Sequence, residues 1–511
     1  MSEPGSVFTE VAIIGAGAAG MAAALRLVEA GIRPLVLDQA PAPGGQIYRQ
    51  VATPALGGEI LGPDYLAGQP LVGRFADAAE QGRIDYRARH RVWWAEADAE
   101  LGGVTLGVLD GGGSSRIWQA QRLLVASGAM ERGWPFPGWQ LPGVMQAGAA
   151  QILLKQGALF TGSAPVLAGS GPLLYLLAWQ YLRAGRAPRL ILDTAAGLGL
   201  GEMLRRPRQS FRARGYLSKG LAMMVALRRA GVPVLRGLEA LRAEGDERLE
   251  RVAYRRGGRW ESLEADWLLT HMGVVPEPQL NRGLGIEHGW SDDQQAFVAR
   301  RGPRLETLPG VWLAGDAGGI GGAVNAEREG RLAALGLLEA RLEGSFEAQL
   351  EGSSTPASFA AERQALERAR AKDLDARRLL DALFRPPAGW LRAQSESTLV
   401  CRCESVTRGQ LEQAIEQGAF GPNQLKAFTR CGMGPCQGRL CGDSVARLLA
   451  ARTQAGQNAD PREVRDIEPG AERMDAVGYY HIRPPLCAIT LGELAAAADP
   501  GANVKTSSSP Q

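Results

Sequence analysis

The chain has 511 residues, 57 Lys and Arg against 54 Asp and Glu, and an apolar fraction of 45%. That near balance gives no footing for nucleic acid, and the length allows roughly three to five domains at about 100–200 residues each. No apolar run approaches a membrane span, and the start MSEPGSVFTE lacks a basic stretch followed by an apolar core, so a soluble cytoplasmic chain is expected, any tie to the inner face of a membrane being made through partners.

In chain order, VFTEVAIIGAGAAGMAAALRLVEAGIRPLVLDQ predicts strand, tight turn, helix and strand. Apolar Val11–Ile14 lead into Gly15, an Ala- and Leu-rich helix runs from Ala18 to about Ala30, and Gly31 stops it. WQAQRLLVASGA is a buried strand ending at Ser127-Gly128. A second unit of the first design lies at Ala164–Thr194, and LPGVWLAGDAGGIGG is a strand ending at Gly315-Asp316. This order predicts one α/β domain (1–144 and 276–345) with a second inserted into it (145–275). EGSSTPAS then reads as a joint, and Phe359–Phe384 as a charged helix within a linker at 346–395. A small cysteine-bearing helical module follows (396–455), with Thr407 and Gln410 as a capping pair, and then an extension and tail (456–511) whose end, NVKTSSSPQ, reads as disordered.

GAGAAG supplies Gly15 for a tight turn, Gly17 for the approach of a diphosphate and Gly20 for close helix–strand packing. The phosphates would sit on helix N–H groups, and Asp38, at the end of the next strand, is placed to accept from ribose hydroxyls. Asp316 is a candidate for the ribityl chain of a flavin. The second loop, GSGPLL, offers Gly169 and Gly171 but has Leu174 in place of a third glycine. Asp193 ends the following strand and disfavours the 2′-phosphate of NADP. Two readings stay open for this loop: a bound adenine nucleotide (NAD, ADP or ATP), or a fold kept for packing. Arg205, Arg206, Arg208, Arg212 and Arg214 follow it, as an anion or partner site or as a solvated basic loop.

No cysteine precedes Cys401, and five fall between Cys401 and Cys441. Cys401, Cys403, Cys436 and Cys441 form a thiolate set suited to a [2Fe–2S] cluster or to structural zinc. Gly432, Gly434 and Gly438 would let backbone N–H groups near the sulfurs. Cys431 can replace Cys436 in another register. Cys487 reads as a buried small residue. The four histidines are isolated in sequence, and His271 is the one worth testing.

IIGAGAAG, PGGQ (Pro43–Gln46), VASGA and VWLAGDA together resemble the two-dinucleotide-fold flavoproteins that include thioredoxin reductase. That resemblance implies a Rossmann-type α/β body and FAD in the first site, held by Gly15, Gly17, Gly20, Asp38, Gly45, Gln46, Gly315 and Asp316. The family usually has Glu where this chain has Asp38. A redox C-x-x-C beside the flavin is also usual, and its absence here excludes disulfide reduction.

VCRCESVTRGQLEQAI and TRCGMGPCQGRLC resemble the bacterioferritin-associated-ferredoxin type of [2Fe–2S] domain, which implies Cys401, Cys403, Cys436 and Cys441 as ligands. With GGQIYRQ, FRPP and IRPPLCAITLGELA, the resemblance extends over nearly the whole chain to the large subunits of bacterial opine oxidases. The B subunit of hydrogen cyanide synthase and the α subunit of D-hydroxyproline dehydrogenase belong to the same group. It implies an electron-transferring subunit, with a smaller FAD-containing amino-acid-oxidase-like partner that oxidises a C–N bond. A small ferredoxin-like subunit, FMN at the subunit junction and an adenine nucleotide in this chain are further implied. The competing readings are a stand-alone NADH-dependent flavin reductase and a nucleotide-binding scaffold.

Overall fold

The computed structural model describes residues 7–98, 103–197, 199–343, 357–454 and 471–498. Most of the segment EGSSTPAS and the whole of NVKTSSSPQ lie outside these residues.

Val11–Ile14 are apolar on both faces, as a central parallel strand requires, and they are buried. Their strand, Val7–Ile14, is flanked by Leu35–Asp38 and Ser115–Val125, both parallel to it. Asp85–Ala88 and Val311–Leu313 extend the sheet on its two sides, and Glu306–Leu308 closes one edge. Arg91–Ala97 and Val104–Leu109 add antiparallel strands beside Ser115–Val125. The register sets Ile14 opposite both Leu37 and Val125, and Val125 opposite Leu313. Gly15, Asp38, Ser127 and Gly315 therefore follow strand ends at one level, the carboxyl edge where open α/β sheets bind ligands.

A second sheet has five parallel strands in the order Val234–Arg236, Leu190–Asp193, Val166–Ser170, Leu268–Met272 and Val144–Gln146. An antiparallel meander, Leu238–Glu264, lies beyond it. The two sheets are joined through the pairing of Ala129–Glu131 with Val274–Pro276.

The helix Ala18–Glu29 fills one face of the first sheet and packs along Ala323–Glu343. Contact is close because residue 330 is glycine: a Cβ there would stand 2.1 Å from the carbonyl oxygen of Ala19. The charged helix is observed at Ala357–Leu383 and runs along this pair, with Arg26 and Arg331 donating to Glu362 at 3.1 and 2.6 Å. Among the described residues no helix is long and apolar enough to cross a membrane.

Gly330→Val is expected to force the two helices apart and to destabilise the chain by about 1–3 kcal/mol or more. Gly73→Ala, in an exposed helix position with open space around it, should be neutral or stabilising by up to about 1 kcal/mol. Thermal midpoints of the two variants test the contrast.

Candidate functional site

At the first loop, a Cβ on Gly20 would lie 1.8 Å from the carbonyl oxygen of Gly15, so helix and turn can close only on glycine. The PGGQ segment folds over this turn: Gly44 N–H donates to Ala16 O at 2.8 Å, and Gln46 Nε2 donates to Ala129 O at 2.9 Å. Asp38 is buried, and both its oxygens take backbone donors, Ala16 N at 2.6 Å and Ala40 N at 2.7 Å. Burial lifts its carboxyl above the ordinary range, those two bonds and Arg49 opposing the shift. Asp38 thus ties the turn to the second strand, a use of the carboxylate that sequence spacing did not anticipate.

Gly315 and Asp316 follow the strand Val311–Leu313. Asp316 Oδ1 accepts from Gly321 and Gly322 N–H at 2.8 and 2.9 Å, which shapes the loop before the helix Ala323–Glu343. Glu329, on that helix, accepts from Gly315 N at 2.9 Å, Arg301 at 2.6 Å and Arg370 at 2.7 Å. Burial pushes Glu329 up, but the two guanidiniums outweigh it and hold its carboxyl below the usual value.

In the second sheet Gly169 lies opposite both Asp193 and His271. A Cβ on Gly171 would lie 2.9 Å from His271 Nε2, so the imidazole packs directly against the loop. His271 Nδ1 meets Glu131 at 2.6 Å, and the other oxygen of Glu131 accepts from Gly148 N at 2.8 Å. Asp193 accepts from Ala195 N at 2.9 Å and from the hydroxyl of Tyr175. Of the arginines that follow, Arg208 and Arg212 reach Asp375 on the charged helix at 3.1 and 2.6 Å, while Arg205 and Arg206 reach Glu202 at 3.0 and 3.4 Å.

Two buried hydroxyls beside these loops, Ser127 Oγ and Ser170 Oγ, have no hydrogen-bond partner among the described residues. Orphan donors next to glycine turns are what a bound phosphate or ribose would satisfy. The residues present fit a dinucleotide at the first loop. They fit an anion at the second, where the ribose-side carboxylate is already covered by Tyr175.

The cysteine module starts at the strand Leu399–Cys401, which carries the first thiol, and Cys403 follows in a turn. The expected capping box is present: Gln410 N donates to Thr407 Oγ1, and Gln410 Oε1 accepts from Thr407 N. The sulfurs of Cys401, Cys431 and Cys441 lie within 4.8 Å of one another and are buried. Packed this closely, Cys431 and Cys441 hold the Cys401 thiol far below its usual value, and Cys401 raises theirs. Cys403 interacts with Cys436 instead. Their loops meet because residue 434 is glycine: a Cβ there would sit 2.2 Å from Cys403 Cβ. The structure therefore gathers all five thiols, as a buried trio that includes Cys431 and a more exposed Cys403–Cys436 pair. Soft thiolates on two short loops fit an iron–sulfur centre. Cys487 is only half-buried, next to Arg91, and stands apart from the array.

Docking places this array against the first sheet. Arg439 Nε donates to Glu277 Oε1 at 3.0 Å, and Glu277 N–H donates to Gly128 O at 3.1 Å, at the end of the VASGA turn. Arg132 is buried and donates to Met272 O, Gln294 O, Gln295 O and Asp443, two residues beyond Cys441. No sequence pattern marked Arg132, Glu131 or Tyr175, because their partners lie 18 to more than 300 residues away.

A family model described as pyridine nucleotide-disulphide oxidoreductase matches residues 9–330, and one described as BFD-like [2Fe-2S] binding domain matches residues 399–451. The A-type subunit of opine oxidase from Agrobacterium tumefaciens (strain Ach5) is 40% identical over 495 residues, covering 96% of this chain and 92% of that one. The chain belongs to this family of opine oxidase subunits. Hydrogen cyanide synthase subunit HcnB of Pseudomonas protegens is 34% identical over 440 residues, covering 84% of this chain and 89% of that one. The crystal structure of L-proline dehydrogenase from P. horikoshii shares the fold, with a TM-score of 0.64 at 17% identity over 97% of this chain and 81% of that one. As a family member, this chain is an oxidoreductase subunit that joins an FAD/NAD-binding body to a [2Fe–2S]-type cysteine domain.

Two tests follow from the charge network. Arg132→Ala leaves Asp443 with Arg447 as its cation but takes the Arg132 donor from three backbone carbonyls, and is expected to cost about 1–3 kcal/mol, read by chemical denaturation. Glu329, with its carboxyl depressed, contributes stability fully above its unfolded value of 4.5 and loses it as pH falls through the lower folded value. The thermal midpoint should therefore fall with acidification below about pH 4.5, and less steeply in Glu329→Gln.

Proposed function

We propose that this chain is the electron-transferring subunit of a hetero-oligomeric dehydrogenase or oxidase whose partner oxidises the C–N bond of an amino acid, imino acid or opine. The observation that carries this reading is the bond path from Gly128 O through Glu277 to Arg439, which ties the first nucleotide site to the cysteine loop. An electron-transfer chain needs its two centres held at a fixed short separation, and this path makes one unit of them.

In this reading Gly15, Gly17, Gly20, Gly45, Gln46, Gly315 and Asp316 hold FAD, with Asp38 fixing the turn. Cys401, Cys403, Cys436 and Cys441 hold a [2Fe–2S] cluster. When bound, a flavin and a cluster together supply the change from two-electron to one-electron transfer. The chain's own residues bind, orient and shield: Gln46 bridges to Ala129, Arg132 fixes the docking of the cysteine domain, and His271 with Glu131 supports the second loop. Three further components complete the proposed assembly: a smaller FAD-containing partner of amino-acid-oxidase type, a small ferredoxin-like partner, and FMN at their junction. Any membrane or respiratory-chain link belongs to those partners.

The second nucleotide fold is the site for an adenine nucleotide or a packing element. The rival reading, a stand-alone NADH-dependent flavin reductase, needs Asp193 free for a ribose, and the bond from Tyr175 counts against it.

Affinity purification from the native host, with mass spectrometry and an absorbance spectrum, tests the proposal. Expected are a co-purifying oxidase-like subunit, flavin, and about two irons and two sulfides per chain, with iron lost in Cys401→Ser. Rapid bleaching of the flavin by NADH in the isolated chain, or a chain free of iron, would overturn it.

A further inference from the structure

Tyr480 lies outside the residues matched by the [2Fe–2S] family model, 399–451, yet its side chain ends within the cysteine array. It is 2% exposed. Its hydroxyl donates to Cys431 Sγ at 3.3 Å and stands 3.9 Å from Cys441 Sγ. The cysteine loop is shaped to receive the ring. A Cβ on Gly432 would lie 2.7 Å from Tyr480 Cζ, and one on Gly438 would lie 2.6 Å from its Cδ2. Two glycines of TRCGMGPCQGRLC therefore leave room for one aromatic ring from the C-terminal extension. Neighbouring bonds fix that extension: His481 N–H donates to Asn423 at 2.9 Å, and Tyr479 Oη donates to Gly438 O at 3.1 Å.

We infer that Tyr480 is a positioning residue for the iron–sulfur centre, its hydroxyl hydrogen-bonding the sulfurs of the array and raising the reduction potential of the cluster they hold. A donor on a ligand sulfur, or on a thiol that itself donates to one, withdraws electron density and stabilises the more negative reduced state. The direction is the same whether or not Cys431 is a ligand, because the hydroxyl also stands 3.9 Å from Sγ of Cys441, a ligand in either register. The effect is carried by one O–H group, so removing it alone should leave the fold and the metal content intact.

The inference rests on the reading of the cysteines as a [2Fe–2S] site, and the two can fail separately. Full-length protein, with whatever subunits co-purify, is compared as wild type, Tyr480→Phe and Tyr479→Phe. Iron and sulfide analysis of the wild type tests the cluster, and zinc or no metal there would sink both ideas. With the cluster present, Tyr480→Phe should retain the same iron and sulfide while its redox titration, followed by electron paramagnetic resonance, moves to lower potential. Tyr479→Phe loses a hydroxyl bonded to a backbone carbonyl and should leave the potential near that of the wild type. The Fe–S stretching bands of the wild type should also shift in D2O, and this sensitivity should shrink in Tyr480→Phe. An unchanged potential in Tyr480→Phe, or equal shifts in both variants, would overturn the inference.

Discussion

Arg132 donates to three backbone carbonyls and to the carboxylate of Asp443, and its burial means that none of these bonds can be exchanged for water. Met272 ends a strand of the second sheet, Gln294 and Gln295 lie in the hairpin after the first body resumes, and Asp443 opens the helix behind Cys441. A guanidinium is suited to this task because its donors spread in a rigid planar fork. Arg447 shares the same acceptors, reaching Asp443 at 2.9 Å and Gln295 O at 2.8 Å. The position of the cysteine loop relative to both nucleotide folds depends on this cluster of charge.

The carboxyl edge of the first sheet is fixed in a different way. Strand registers bring four turns to one level, and glycines let the backbones meet there. The polar side chains then spend their oxygens on shaping those turns: Asp38 on Ala16 and Ala40, Asp316 on Gly321 and Gly322, and Glu329 on Gly315. The acidic residues around the first site act on the backbone before they can act on any ligand. In the second fold the same economy goes further, with Asp193 engaged by Tyr175 and Ala195.

Much of this was legible in the sequence where local rules apply. The glycine turns, the strand and helix phases around Gly15 and Gly169, and the Thr407–Gln410 capping box depend on spacings of a few residues, which periodicity and capping chemistry report directly. The five cysteines were legible as a group. Their division was not, because the convergence of Cys431 on Cys401 depends on how two loops pack in space. Asp38 was correctly placed at a strand end, but its engagement by the N–H groups of Ala16 and Ala40 depends on how the two turns meet in space. The arginine cluster after Asp193 read either as an anion or partner site or as a solvated basic loop, whereas four of its members are paired within the chain, two of them with a helix more than 150 residues on. Sequence alone carries no signal for such a pair.

The fit of the Tyr480 ring over Gly432 and Gly438 has a consequence for the order of events in making the protein. A ribosome delivers Cys401 through Cys441 before it delivers Tyr480, so the thiols are complete while the residue that covers their inner face does not yet exist. Until Tyr480 arrives and packs, the sulfurs of Cys431 and Cys441 lack the side chain that covers them. The buried side of the array is therefore completed by the folding of the last part of the chain.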